Sequence, residues 1–446
     1  MKRITLLFMI LCLYSTATHA QWANQNAGFT NRTLGFYEIS IVNENVVWAI
    51  CYDGINGLGS STPILDFIRT TDAGQTWIPG TMGSDQTLAF STICALSDTE
   101  AWVAMHKIDF SGGGGLFHTT DAGVTWVQSN PGVVFNDGSF PNFVYFKDQL
   151  NGIAGGDSNG GYFEIYTTTD GGVNWTRTPQ ANIPAPLPGG QYGWFDGYSV
   201  IGDTVWFGTN LGQMYKSTDF GQTWSVHTVD PAMNTVYEIA FNDDGLHGLT
   251  NIRTANNTVI LFSTTDGGVT WTQMPPHPKW KRSRVTSVPG TSTFVSTSVI
   301  FSNRGSAYTT DNGATWIEID GTVRKAACRF FNSTTGWAGG YFNDNPLYLI
   351  EPGIYKWDNT VSLGVEENTT AGVRPVYPNP ATDVLTISLG ADVHTDDLRF
   401  YDSRGVLVKE VNNSDGQEIN VSDLPSGIYL IKSKKLPGIQ RKFIKN

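Results

Sequence analysis

The stretch Thr119–Trp126 reads TTDAGVTW and recurs with small changes along most of the chain. Five further copies are TTDAGQTW (Thr70–Trp77), TTDGGVNW (Thr168–Trp175), STDFGQTW (Ser217–Trp224), TTDGGVTW (Thr264–Trp271) and TTDNGATW (Thr309–Trp316). Their aspartates follow one another at intervals of 45 to 49 residues: Asp72, Asp121, Asp170, Asp219, Asp266 and Asp311. A fixed period of this length indicates a repeat architecture.

Each copy lies in the same pattern of short apolar strands. Two strands joined by a turn precede it, as in FSTICALSDTEAWVAM (Phe90–Met105), a third strand ends in the copy, and a fourth begins at its tryptophan. Four antiparallel strands in a unit of this length are typical of a β-propeller blade. We therefore expect an all-β protein whose main domain is a β-propeller.

The number of blades follows from the two ends of the repeat region. Lys325–Asn359 repeats the first three strands of the unit without a fourth. Gln21–Gly28 (QWANQNAG) resembles Thr125–Gly132 (TWVQSNPG), which is the fourth-strand segment of a complete unit. The sequence predicts a seven-bladed propeller over residues 21–361, in which the N-terminal strand completes the last blade and no sheet edge stays exposed.

The residues before the repeats have the composition of an export signal. Lys2 and Arg3 precede an apolar run over Leu6–Leu13, and a small-x-small ending follows. This layout predicts a secretory signal peptide at residues 1–20. No later segment approaches the roughly 20 apolar residues of a membrane span, so we expect no transmembrane segment in the mature chain.

The residues after the repeats change in composition. Residues 362–374 are polar and have no period, which is typical of a linker. Residues 375–446 alternate apolar and polar positions between turns, and they predict a small C-terminal Ig-like β-sandwich.

The six copies fit the Asp-box or BNR pattern, Ser/Thr-x-Asp-x-Gly-x-Thr-Trp, with Asn174 standing where threonine is usual. The repeat region thus resembles sialidase-like BNR propellers, and most of all the non-enzymatic type related to the photosystem assembly factor Ycf48. This resemblance implies the fold and leaves the function open, because it also covers sialidases, xyloglucanases and proteins without known activity. It further implies that the box lies at the outer edge of each blade, away from the ligand-binding face.

The tail resembles the type A C-terminal sorting domain of the type IX secretion system, the Por secretion tail. This resemblance implies a Bacteroidota-type cell, a Sec signal peptide followed by type IX secretion, and a location outside the cell or on its outer-membrane surface. It makes the type IX secretion machinery a partner of the tail. The matching positions include Tyr377, Pro378, Asn379, Pro380, Gly427 and Tyr429.

The box has two interpretations, a site or a turn. Its carboxylate, hydroxyls and tryptophan could bind a sugar, but six copies on six blades cannot converge on one substrate. Glycine two residues after aspartate suits a turn, in which the carboxylate accepts backbone N–H groups. The tryptophan can then fill the gap between neighbouring sheets. We interpret the six aspartates as structural.

Ligand-binding residues are expected in the loops that enter the first strand of each blade or join its second and third strands. These loops include Tyr52–Asp66, Lys107–Gly115, Thr178–Tyr192, which leads into Trp194, and Pro275–Arg284 (PPHPKWKRSR). The last of them carries several basic side chains and a tryptophan. Pro275–Arg284 could receive a carboxylate, a sulfate or an acidic sugar, or it could be a solvated loop with its tryptophan packed on its own blade. The candidate ligand-binding residues are Trp194, Trp280, Lys281, Arg282 and Arg284.

Composition limits the partners and cofactors. The formal net charge of −12 argues against a nucleic-acid partner. Histidine and cysteine form no cluster with metal-ligand spacing, so we expect neither a metal nor another cofactor. Cys51, Cys94 and Cys328 either include one disulfide or are all small buried hydrophobes.

No catalytic residue is marked by a motif. The Phe/Tyr-Arg-Ile/Val-Pro signature of sialidases is missing, and its nearest counterpart, Phe67–Thr70, runs directly into a box. The sequence favours an exported, non-catalytic propeller that binds a glycan or a protein. The alternative is a secreted glycan-active hydrolase, because a carboxylate pair from different blades leaves no linear pattern.

Overall fold

The computed structural model describes residues 21–28, 34–53, 64–83, 87–136, 138–340, 353–357, 376–377, 381–387, 398–402, 406–411, 418–433 and 440–445. The chain divides into two compact units, Met1–Gly364 and Val365–Asn446. Within the described ranges the regular structure is β-strand, apart from two short 3-10 helices at Gln180–Asn182 and Phe301–Asn303. The prediction of an all-β protein is confirmed.

The described strands of the first unit follow the repeat. The first half of them are β1 (Trp22–Gln25), β2 (Leu34–Ile41), β3 (Val47–Asp53), β4 (Asp66–Thr70), β5 (Ile78–Thr81), β6 (Leu88–Ala95), β7 (Ala101–Lys107), β8 (Gly114–Thr119), β9 (Val127–Ser129), β10 (Pro141–Phe146), β11 (Gly152–Ser158), β12 (Phe163–Thr168), β13 (Thr176–Arg177) and β14 (Gly193–Ile201). The second half are β15 (Thr204–Thr209), β16 (Gln213–Ser217), β17 (Ser225–Thr228), β18 (Thr235–Phe241), β19 (Gly248–Arg253), β20 (Val259–Thr264), β21 (Thr272–Gln273), β22 (Arg284–Ser287), β23 (Phe294–Ser298), β24 (Gly305–Thr309), β25 (Ile317–Asp320), β26 (Lys325–Asn332), β27 (Thr335–Gly340) and β28 (Ile354–Trp357).

These strands form a seven-bladed β-propeller. Strands β2 to β25 make six successive four-stranded antiparallel sheets, and β26, β27 and β28 make three strands of a seventh. Strand β1 adds the missing fourth strand by pairing with β28, with Trp22 opposite Trp357. The first strand of each sheet contacts the first strand of the next, and β26 returns to β2. The predicted closure of the ring by the N-terminal strand is confirmed.

The core lies between the blades. Seven hydrophobic clusters among the described residues occupy the seven gaps between successive sheets. Each box tryptophan packs in the gap on one side of its sheet, and Trp22 occupies the corresponding place between the sixth and seventh sheets. The box tryptophans are Trp77, Trp126, Trp175, Trp224, Trp271 and Trp316. Their predicted role as fillers between sheets is confirmed.

The box forms a turn between the third and fourth strands. Oδ1 of Asp121 accepts the hydroxyl of Thr119 at 2.9 Å and the backbone N–H of Thr125 at 2.8 Å, while the Gly123 N–H donates to Thr119 Oγ1 at 2.9 Å. Gly123 has φ of +82°, and an added Cβ would lie 2.2 Å from Phe67 on the preceding sheet. Glycine is therefore required by both its conformation and its surroundings.

The innermost strands carry a shared irregularity. In five sheets one extra residue bulges from the first strand at the same point of the ladder, and these residues are Tyr37, Ser91, Asn142, Tyr237 and Ala326. In the fourth sheet the bulge is larger, because pairing breaks off at Gly193 and resumes at Tyr198. Bulges change the direction in which a side chain points. Three of the bulged residues, Tyr37, Tyr237 and Ala326, line a cavity at the propeller axis.

The second unit is a small two-sheet β-sandwich. Its strands are β29 (Val376–Tyr377), β30 (Val384–Ile387), β31 (Leu398–Asp402), β32 (Leu407–Val411), β33 (Glu418–Asn420), β34 (Gly427–Ser433) and β35 (Gln440–Lys445). They form a sheet of order β29-β30-β33 and another of order β32-β31-β34-β35, with apolar side chains of both sheets in one core. Tyr429 is buried there and donates to the Pro425 carbonyl at 2.7 Å. Pro378, Asn379 and Pro380 of the predicted sorting motif lie outside the described residues, as do the predicted signal peptide and linker.

The three described cysteines are part of the propeller core. Cys51, Cys94 and Cys328 are buried and free. Burial raises the pKa of the Cys94 thiol to about 12, and the same cause raises that of Cys328 to about 12. Of the two alternatives left open by the sequence, the structure supports small buried hydrophobes.

Candidate functional site

A cavity of about 710 Å³ opens at the propeller axis. Its walls come from the loops that enter the first strands, the loops that join second and third strands, and the bulged residues. This is the face where ligand-binding residues are expected from the sequence, and the boxes lie at the other end of the strands. The lining residues include Phe110, Phe140, Asp157, Trp194, Phe195, Tyr237, Glu238, Arg253 and Arg284.

One wall of the cavity is a row of stacked rings, which we call the aromatic band: Phe110, Phe140, Phe195 and Trp194. Phe110 and Phe140 lie 5.8 Å apart at an interplanar angle of 5°, and Trp194 and Phe195 lie 5.4 Å apart at 18°. The buried His106 joins the two pairs, with its ring 4.6 Å from Phe140 and 5.8 Å from Phe195. Burial lowers the pKa of His106 to about 4, so this ring is neutral at neutral pH.

The bulge in β14 explains how Trp194 and Phe195 reach the cavity. Opposite this bulge, β15 advances by only two residues between Thr209 and Phe207. The residues between Gly193 and Tyr198 therefore do not pair with β15. Their successive side chains need not point to opposite faces of the sheet, as they would in a regular strand. The sequence run YGWFDG thus supplies half of the aromatic band.

Arg284 lies at the axis and binds the first strands of three other sheets. Its Nη1 donates to Glu238 of the fifth sheet, its Nε donates to the Ala326 carbonyl of the seventh at 2.8 Å, and its Nη2 donates to the Tyr37 carbonyl of the first at 3.3 Å. The side chain of Glu238 is only 3% exposed. Each guanidinium nitrogen of Arg284 therefore already donates a hydrogen bond within the propeller, although Arg284 lines the cavity as well.

Arg253, at the end of β19, is differently placed. Its guanidinium carbon lies 4.6 Å from the ring centroid of Tyr237 and 5.8 Å from that of Trp194. Within the described part of the chain it forms no ion pair with a carboxylate. Arg253 is thus a partly exposed cation, held over two aromatic faces, on the wall of the cavity.

Asp157, near the end of β11, is a carboxylate on the wall of the same cavity. Its Oδ1 accepts the Asn142 amide at 2.8 Å and the Gly193 N–H at 3.0 Å, which ties the start of the β14 bulge to the third sheet. Burial raises the pKa of Asp157 to about 6, and these two hydrogen bonds oppose the shift. Because Asp157 belongs to the third sheet and Arg253 to the fifth, the bulge of the fourth lies between them.

The structure separates the five candidate residues of the sequence. Trp194 and Arg284 line the cavity, whereas Trp280, Lys281 and Arg282 do not. Trp280 is 4% exposed and packs in the gap between the fifth and sixth sheets. This burial corresponds to the alternative in which the tryptophan packs on its own blade.

The other two basic residues of that loop are held by local contacts. Lys281 Nζ donates to the Arg304 carbonyl and to Glu318, each at 2.9 Å, and the residue is 4% exposed. The Arg282 guanidinium carbon lies 5.9 Å from the ring centroid of Trp280, and its backbone carbonyl and N–H bond the Tyr237 hydroxyl and Asn303. The basic run Lys279–Arg284 therefore forms no free cationic patch on the cavity.

Sequence reasoning missed the most informative residues of the cavity. Asp157 lies next to the end of β11 and Arg253 ends β19, and the ends of second strands are positions where functional side chains are expected. Their positions near the ends of second strands can be read from the repeat unit. No motif, however, distinguishes either residue from other polar residues at strand ends. Tyr237 could not have been found, because its direction depends on a one-residue bulge.

The described residues contain no group of three or more histidine, cysteine, aspartate or glutamate side chains that could hold a metal ion. No helix among them has the length and apolar character needed to cross a membrane.

Comparison with known families identifies the tail. Residues 375–446 match the secretion system C-terminal sorting domain. The second unit is therefore a sorting domain, and it directs the protein by type IX secretion to the cell surface or beyond it. The resemblance stated from the tail motifs is confirmed.

The propeller matches known proteins more distantly. A xyloglucanase of Acetivibrio thermocellus is 28% identical over an alignment of 248 residues. The match covers 46% of this chain and 28% of that protein. The chain thus spans little more than a quarter of the curated relative that it matches. YCF48 from Cyanidioschyzon merolae is 16% identical, with 76% of this chain and 98% of that chain covered and a TM-score of 0.49. The GH74 enzyme of Niastella koreensis is 14% identical, with 92% and 59% covered and a TM-score of 0.39.

Proposed function

We propose that the propeller is a non-catalytic binding module that takes a glycan or a protein segment in its axial cavity. The module spans residues 21–361, and residues 362–374 link it to the tail that delivers it outside the cell. The observation that supports this function is the aromatic band on the wall of the cavity. Flat ring faces beside a few polar groups are typical of sites that bind small ligands.

The size of the cavity favours a short ligand over a folded partner. Its volume of about 710 Å³ lies within the range of pockets that enclose a small molecule. A stable interface with a folded protein instead buries about 800 Å² on each side, mostly on a broad surface. An oligosaccharide, or an extended segment of a protein, is the size of ligand that such a cavity encloses.

The proposal is tested by screening the exported protein on an oligosaccharide array and measuring each hit by calorimetry. Trp194→Ala removes one ring of the aromatic band and is expected to weaken binding at least tenfold. Phe331→Ala is the matched control, because Phe331 is 38% exposed and lies outside the cavity lining. Equal affinity of the two variants for every hit would contradict the proposed site.

A second candidate function is glycan hydrolysis. It is supported by the presence of two carboxylates, Asp157 and Glu238, in one cavity, since glycosidases use such a pair. A pKa of about 6 suits Asp157 to donate a proton. Against this function, Glu238 is buried and paired with Arg284.

Incubation of each array hit with the protein, followed by chromatography of the products, separates binding from hydrolysis. The binding proposal predicts unchanged oligosaccharides. Cleavage that is lost in both Asp157→Asn and Glu238→Gln would establish the hydrolase instead.

A further inference from the structure

We infer that the ligand of the axial cavity is an acidic glycan whose carboxylate pairs with Arg253. This inference rests on the proposed binding function and names the class of ligand. It is carried by the placement of one unpaired cation, one hydrogen-bonded carboxylate and the aromatic band around the same space.

The cation of the cavity is Arg253. It packs over Tyr237 and Trp194 and donates a side-chain hydrogen bond to Tyr237, which fixes its guanidinium and leaves its remaining N–H groups to meet a ligand. None of the carboxylates that the structure describes forms an ion pair with Arg253. Arg304 likewise has no ion pair with a described carboxylate, but of these two arginines only Arg253 lines the cavity. A carboxylate matches the guanidinium edge through two parallel hydrogen bonds.

Arg284 is not the main anion-binding group of the cavity. Its three nitrogens already donate to Glu238 and to two backbone carbonyls. Glu238 neutralises its charge within the cavity wall. The positive potential available to a ligand therefore centres on Arg253.

Asp157 is a second polar group of the cavity that a ligand can meet. Asp157 presents a carboxylate that accepts hydrogen bonds from Asn142 and Gly193 through one oxygen, Oδ1. Its other oxygen can accept a ligand hydroxyl, since an ionised carboxylate has acceptor sites on both oxygens. A ligand that binds both residues carries a carboxylate for Arg253 and hydroxyl donors for Asp157.

The aromatic band favours a sugar over a peptide. It adjoins both polar groups, because Trp194 lies beside Arg253 and the Phe140 carbonyl accepts the Asp157 N–H at 3.0 Å. The rings are nearly parallel within each pair, and such faces suit the flat C–H faces of pyranose rings. A sugar acid combines such faces with hydroxyl groups and a carboxylate in one residue. An acidic peptide supplies the carboxylate but not the row of hydroxyl donors, so the observations favour the glycan.

The test uses an array of matched oligosaccharides, each acidic member paired with its neutral form: tetragalacturonate with its methyl ester, and a hyaluronan hexasaccharide with its carboxyl-reduced form. The exported protein is expected to bind at least one acidic member tenfold to hundredfold more tightly than its neutral partner, as a charge-assisted pair implies. Arg253→Gln should bring the two members within about threefold of each other, and Arg253→Lys should restore part of the preference. Phe110→Ala removes a ring of the aromatic band that has no contact with Arg253, and it should weaken both members alike.

The matched control is Arg304→Gln. Arg304 also stacks on an aromatic ring, with Phe301 at 4.7 Å, but it lies outside the cavity lining. Its loss should leave the preference unchanged. Cavity-dependent binding without preference for the acidic members would overturn this inference and leave the proposed function standing. Binding of a tetra-aspartate peptide without any glycan would overturn the glycan class, and failure of every probe to bind in a Trp194-dependent way would overturn both.

Discussion

The indole N–H of Trp22 donates to the hydroxyl oxygen of Ser306 at 2.9 Å, across 284 residues of chain. The same hydroxyl donates to Asp320 at 2.6 Å, and Asp320 accepts Lys325 Nζ at 2.8 Å. The side chain of Lys325 is fully buried, near the rings of Trp22 and Tyr355. The closing strand is therefore attached to the sixth and seventh sheets by side chains as well as by its ladder to β28.

Removal of this anchor should destabilise the whole propeller. Trp22→Ala opens a hole between the sixth and seventh sheets and is expected to lower the free energy of unfolding by about 3–5 kcal/mol. Phe331→Ala on the seventh sheet is the control, since Phe331 is partly exposed. Urea unfolding of both variants measures the difference, and equal stability would contradict closure by β1.

The box threonine should be needed for the turn. Thr119→Val keeps the shape of the side chain but leaves the Gly123 N–H without its acceptor and Asp121 without one donor. Loss of a buried hydrogen bond of this kind is expected to destabilise the protein by about 1–3 kcal/mol. The exposed Thr228 on an outer strand provides the control variant Thr228→Val. Identical melting temperatures for the two variants would show that the box does not hold its turn in this way.

Asp157 should give the protein a pH-dependent stability. Its folded-state pKa of about 6, raised chiefly by burial, exceeds the value of about 3.9 in an unfolded chain. The folded state therefore binds the proton more tightly, and this contribution to stability is lost as pH rises from about 4 to about 6. Asp157→Asn cannot titrate, so the stability of the wild type should fall relative to this variant over that interval.

Unfolding in urea at pH 4 and at pH 7 measures this effect. The control is Asp98→Asn, because Asp98 lies exposed in a turn. A stability difference between the wild type and Asp157→Asn that stays constant from pH 4 to pH 7 would contradict the assignment.

The sorting domain should be necessary for export. A chain that ends after Arg374 lacks residues 375–446 and should accumulate in the periplasm, while the full chain reaches the cell surface or the medium. Immunoblots of periplasm, surface and medium, with a periplasmic marker protein, measure the distribution. Appearance of the truncated chain outside the cell would contradict the sorting role.

The sequence predicts the blades well because their signals repeat. Every box occupies the same turn, so its period counts the sheets, and the likeness of the segment around Trp22 to a box tryptophan and its strand predicts the closure. The cavity has no such signal. Each of its walls differs from blade to blade, and a bulge of one residue decides whether Tyr237 faces the axis. Trp280 shows the reverse case: its basic neighbours suggested a surface site, whereas packing between two sheets buries it.

The central claim, that the axial cavity is the ligand site, is tested most directly by a crystal structure of the exported protein grown with its tightest-binding oligosaccharide from the array. The account predicts sugar rings stacked on Trp194 and a carboxylate within hydrogen-bonding distance of the Arg253 guanidinium. An oligosaccharide bound at the outer edge of the blades or on the second unit, with the axial cavity free of sugar, would contradict it.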